Sequence, residues 1–281
     1  KVFFGLSLNE LLISIGVLVL CGVFAGFLAG LLGIGEGVVF VPCFSFILSY
    51  SFHVPADTAI LVATGTSLLC MIPTSISAAR SQYKRGNMNL DIIKNWSVSM
   101  LCGVAVGTVV AKFYGGSWLA VLFGSVMIIN SLNMLLRAKA KPAFDSLPGR
   151  NPQRVIAFCI ACFSSMLGIG GGTLTVPVLN ACNVKAHTCI GTSSAVSLFV
   201  CVPGALLMIF MNISATPADA PIGTLGLVNV LTAVCVVPIS ILCAPLGVRF
   251  GKSISPVTLK RIFAVALFII SARMLYEGII G

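Results

Sequence analysis

The stretch Gly168-Ile169-Gly170-Gly171-Gly172-Thr173-Leu174-Thr175-Val176-Pro177 decides the fold, because the chain has already written it once. The earlier copy is Gly33-Ile34-Gly35-Glu36-Gly37, with Pro42 five residues after its last glycine, as Pro177 follows Gly172. The copies stand 135 residues apart, about half the chain, and each interrupts an apolar segment. A glycine break in a membrane helix exposes backbone polar groups, which is costly unless something uses them. Two matched breaks predict a duplicated membrane protein with its binding site at the breaks.

The composition agrees. The 281 residues are 58% hydrophobic and only 9% charged, far from the balance of a water-soluble domain of this size. Apolar runs long enough to cross a bilayer recur, and the strict alternation of a barrel is absent, so the spans are helices. The net charge of +10 reads as loop lysines and arginines that orient the chain in the membrane, not as a nucleic-acid surface. The eleven cysteines are odd in number and scattered through apolar runs, where cysteine acts as a small hydrophobe. Neither a cofactor nor a metal site is expected. The chain begins at Lys1 rather than methionine, which fits a native N-terminus further upstream. The apolar run 11–32 is too long for the core of a signal peptide, and could span the bilayer alone.

Polar punctuation divides the chain into eight apolar segments: 8–33, 57–79, 94–113, 118–136, 153–168, 186–211, 225–247 and 258–280. Two shorter arms, 38–50 and 173–182, follow the breaks and cover only part of a ~30 Å hydrocarbon core. Each break and arm is therefore predicted to form a re-entrant hairpin. With hairpins, every lysine and arginine except Lys1, Lys112 and Arg273 falls on one side, which the positive-inside rule makes cytoplasmic. A hairpin plus three crossings is an odd number, so the two halves point opposite ways. The predicted fold is an all-α polytopic membrane protein of two inverted repeats, 1–137 and 153–281, joined by a cytoplasmic linker at 138–152. The expected location is the cell (inner or plasma) membrane.

Successive glycines can turn amide N–H groups into a cavity, and the arms that follow present helix N-termini with partial positive charge. Gly33, Gly35, Gly37, Gly168, Gly170, Gly171 and Gly172 are thus candidate anion-binding residues near the midplane. A simpler reading of such glycines is close helix packing. One helix later in each half stand similar hydroxyl motifs, Gly65-Thr66-Ser67 and Gly191-Thr192-Ser193. Their hydroxyls either back-bond to their own helix or line a polar route.

These residues make the chain similar to the TauE/SafE sulfite exporters, also called the toluene-sulfonate uptake permeases. The resemblance rests on the two glycine motifs with their prolines, on Gly65-Thr66-Ser67-Leu68, on Thr74-Ser75-Ile76-Ser77-Ala78-Ala79-Arg80 and on Lys84-Arg85-Gly86. It implies transport of small sulfur-containing or organic anions such as sulfite, sulfoacetate, sulfolactate or taurine. Where the family pattern has a third glycine in the first break, this chain has Glu36.

Glu36 is the one acid expected deep in the membrane, and such a group is a functional candidate by default. Beside an anion it repels substrate unless protonated, so it is the expected site of proton coupling. The alternative is a carboxylate facing water or the N-terminus of the arm. Lys112 and Arg249, each followed by phenylalanine near the end of the third helix of its half, either snorkel to the interface or attract anions. Cys159 and Cys162 share a helix face and raise the alternative of a cysteine-assisted conduit for thiosulfate or a soft metal. An intramembrane enzyme has little support, since no paired acids, His-Glu-x-x-His or Gly-x-Ser-x-Gly pattern occurs. The expected partners are a small anion, lipid and protons, with an oligomer compatible and no nucleic acid.

Overall fold

The structure, a computed structural model, describes residues 8–32, 36–136, 143–211, 216–217, 219–251 and 256–280. Ten helices follow in chain order: α1 (Leu8–Leu32), α2 (Gly37–Tyr50), α3 (Ala56–Lys84), α4 (Leu90–Tyr114), α5 (Gly116–Leu136), α6 (Arg150–Leu167), α7 (Gly172–Ala181), α8 (Ala186–Phe210), α9 (Val230–Gly251) and α10 (Pro256–Ile280). A two-stranded antiparallel ribbon, β1 (Thr224–Leu225) and β2 (Val228–Asn229), precedes α9. Four helices (α3, α4, α5 and α8) have the length and apolarity to cross a membrane among the described residues. The chain is a polytopic all-α membrane protein. Gly33, Gly35 and linker residues 138–142 lie outside the described residues.

Each apolar segment and each arm has its helix, but several helices run beyond the apolar text. The helix α3 continues to Lys84, and α4 starts at Leu90 instead of residue 94. Asn89 explains that start: its side-chain oxygen accepts from the amides of Asp91 and Ile92 at 3.1 and 3.2 Å. Hydropathy reports where lipid is, whereas capping decides where a helix begins.

Small residues bring the helices together and show their directions. Gly103 and Gly107 on α4 lie against Phe158 and Cys162 on α6, so these two run parallel. Gly22 and Gly26 on α1 lie against Ile239 and Ser240 on α9, again parallel. The self-paired helices run the other way. Gly124 and Gly278 put α5 against α10 in antiparallel register, and Ser131 Oγ donates to the carbonyl of Ala264 at 2.6 Å. In α3 and α8, Leu68 meets Gly204 while Asn87, just past α3, meets Gly191. Both short arms fold back: Gly37 opens α2 beside Met71 in the middle of α3, and Gly171 opens α7 beside Val196 in α8.

Among the described residues, the connections before α4, α6 and α8 meet at one end of the bundle. Asn89 N–H donates to Thr192 Oγ1, Asn95 Nδ2 to the carbonyl of Arg150, and the amides of Ala143 and Phe144 to the carbonyl of Ala181. The ribbon sits at the other end, where Leu227 N–H donates to the carbonyl of Met208. The buried core runs through α3, with Trp96, Phe40, Phe44 and Phe123 as its largest side chains.

Candidate functional site

The two breaks touch. Gly37 packs so tightly on Gly168 and Ile169 that a methyl group there would overlap their backbone. Gly168 ends α6 in the left-handed conformation at φ 65°, and Gly170 adopts φ 62°. L side chains rarely adopt these angles, which is why glycine occupies both positions. A Cβ on Gly168 would also strike the backbone of Thr64.

Below this turn, α7 begins with donors and no acceptors. Among the described residues, none accepts from the amides of Gly170, Gly171, Gly172, Thr173 or Leu174. The hydroxyl of Thr173, 2% exposed, also has no partner. Buried donors without partners are rare in folded proteins. Concentrated at one helix N-terminus, they leave N–H groups and partial positive charge unpaired in a buried junction. Thr175 is occupied otherwise, its Oγ1 donating to the carbonyl of Gly171 at 2.7 Å.

Glu36 stands at the N-cap of α2, and its carbonyl accepts from the amides of Val39 and Phe40 at 2.9 and 3.1 Å. Its side chain is 4% exposed, and among the described residues neither carboxyl oxygen has a hydrogen bond. The hydroxyls of Ser240 and Thr74 lie near it. Thr74 Oγ1 donates instead to the carbonyl of Met71 at 3.0 Å, and Ser240 Oγ is without a partner. Among the described residues, Cys21, Cys70 and Cys201 also lie within its electrostatic reach. Among the described residues no cation pairs with Glu36.

The hydroxyl motifs divide into different uses. Ser67 Oγ donates to the carbonyl of Gly168 at 2.7 Å and so holds the second break. Thr66 and Thr192 form matched contacts at opposite ends. Thr66 Oγ1 accepts from the amide of Asn229 at 2.9 Å, and Thr192 Oγ1 from the amide of Asn89 at 3.2 Å. Each asparagine caps the helix behind it, α9 and α4 respectively, and each contact joins the two halves of the chain. Ser193 back-bonds to Ile190. A cavity of about 240 Å³ opens between α1, α2 and α9, with apolar walls such as Ile15, Leu18 and Phe44, and reaches Thr66 and Asn229.

The structure places Lys112 apart from the breaks, where its ammonium donates to the carbonyl of Met211 at 2.8 Å and caps α8. Arg249 lies in α9 with its side chain outside the described residues. Cys159 is exposed on α6, and Cys162 neighbours the sulfur of Met166 at 3.8 Å. Sequence reasoning missed Met71, whose sulfur accepts from the amide of Gly37 at 3.0 Å. It also missed the two capping asparagines, which their position just before a helix could have revealed.

Residues 18–274 match the family model described as sulfite exporter TauE/SafE. The chain belongs to this family. It is also similar to the probable membrane transporter protein YunE of Bacillus subtilis (strain 168), at 29% identity over 95% of this chain and 99% of that protein. A probable membrane transporter protein of Haemophilus influenzae is 28% identical over 91% of this chain and 96% of its own length. The family match spans both glycine breaks and all the contacts just described.

Proposed function

We propose that this TauE/SafE protein is a secondary active transporter of small sulfur-containing or organic anions. The observation that carries the reading is the cluster of unpaired amides from Gly170 to Leu174, with the unpaired hydroxyl of Thr173, beside the start of α2. Helix N-termini offer an anion partial charges and fixed N–H groups without a full cation. Binding of that kind compensates for lost water yet leaves the anion able to leave.

Alternating access follows from an inverted relation of the halves, 1–137 and 153–281. The helix pairings support it. Exchanging α1–α5 for α6–α10 turns the α1–α9 pair into α6–α4, and maps α5–α10 and α3–α8 onto themselves. A self-mapped pair that is antiparallel requires an axis in the membrane plane. On this reading the protein lies in the cell membrane with its basic loops cytoplasmic, and the Thr66–Asn229 and Thr192–Asn89 contacts close opposite sides of the site. Glu36 carries a proton with the anion, because an unpaired buried carboxylate next to the seat would repel substrate.

The test is flux into proteoliposomes of sulfite, thiosulfate, sulfoacetate, taurine and simple carboxylates, with and without a pH gradient. Saturable flux of at least one anion is expected. No flux of any would refute the proposal.

A further inference from the structure

Met71 lies midway along α3, 2% exposed, and its side chain enters the junction of the two breaks. Its sulfur accepts from the amide of Gly37, the first of α2, at 3.0 Å. Its terminal methyl covers Gly170, where an added Cβ would come within 2.8 Å of it. One side chain thus occupies one helix N-terminus and covers the approach to the other. A thioether is a weak acceptor. An amide at a buried helix N-terminus is far better matched to an anionic oxygen.

We propose that Met71 is the specificity-determining residue of the anion seat. Its thioether holds the Gly37 amide. An anion that bridges Gly37 and the amides of Gly170 to Leu174 must first displace it. Methionine suits this task, because its unbranched side chain has three rotatable bonds and repacks readily. The room its methyl vacates over Gly170 sets the largest anion accepted. Thr173, buried in the first turn of α7 and without a hydrogen-bond partner among the described residues, is a second polar group left open at that N-terminus. The inference rests on the reading of the breaks as the transport site.

The experiment compares wild type, Met71→Ala and Met71→Gln in proteoliposomes, with sulfite and benzenesulfonate as probes. In Met71→Ala the seat opens without displacement. The half-saturating sulfite concentration falls by about fivefold, the equivalent of one ordinary hydrogen bond, and benzenesulfonate flux rises relative to sulfite. In Met71→Gln, which keeps the volume, a stronger oxygen acceptor holds the amide and the half-saturating concentration rises by a similar factor. If Met71→Ala does not fold, the rise in Met71→Gln decides alone. Wild-type half-saturation and wild-type selectivity in the folded variants overturn the role of Met71, as do changes confined to maximal rate. Absence of any wild-type flux instead refutes the transport reading, and this inference with it.

Discussion

Ser67 and Gly168 stand 101 residues apart in the chain, yet the serine hydroxyl donates to the glycine carbonyl at 2.7 Å. The bond fastens α3 of the first half to the turn that opens α7 in the second. It holds the carbonyl of Gly168 at the start of that turn. Ser67→Ala removes a buried bond worth about 1 kcal/mol and leaves the carbonyl unpaired. Thermal unfolding in detergent should shift down by a few degrees, with weaker half-saturation for the transported anion. Unchanged values in both measurements would remove Ser67 from the site.

The two left-handed glycines should be the least replaceable residues of the second break. Gly168→Ala meets both a strained φ and the Thr64 backbone, so a loss of well over 1 kcal/mol is expected, with loss of flux. Gly149→Ala provides the control, since a Cβ there meets nothing within 4 Å. Equal thermal stability of the two variants would contradict the turn geometry.

Glu36 predicts a direction for pH. If the anion moves only with a protonated Glu36, flux rises as pH falls and drops by up to about tenfold per unit once the carboxylate dominates. Glu36→Gln mimics the protonated form, so its flux should be high and flat across the same range. A Gln variant that keeps the wild-type pH profile would exclude coupling at this residue.

Thr66 and Thr192 hold matching contacts at opposite ends of the bundle. Thr66→Val and Thr192→Val should each weaken one closure by about 1 kcal/mol. Half-saturation measured from the two sides of oriented vesicles should then move in opposite directions, by about fivefold. Their effects on stability should add, since the residues share no partner. Shifts of the same sign in both variants would count against two opposed closures.

Lys112 is engaged as a helix cap, so its loss should be structural. Lys112→Met leaves the Met211 carbonyl without its ammonium and should lower stability by about 1 kcal/mol. The salt dependence of flux should stay as in wild type. A steepened or abolished salt dependence would restore Lys112 as an anion attractor.

The sequence alone determined the membrane class, the ten helical pieces and the duplicated breaks. These follow from local quantities: the length of an apolar run and the placing of glycine and proline. Helix ends were less legible, because Asn89 starts α4 in polar text that hydropathy ignores. Tertiary structure alone decided that Gly37 rests on Gly168, that Ser67 holds that glycine, that Met71 fills the junction and that Lys112 is spent on α8. Each of these contacts joins residues at least 34 positions apart. Periodicity along one helix specifies which face turns inward, but the partner across the interface depends on how whole helices cross. The hydroxyls show the difference plainly: Ser67 and Ser193 stand in similar motifs, yet one reaches the other half and the other bonds to its own helix.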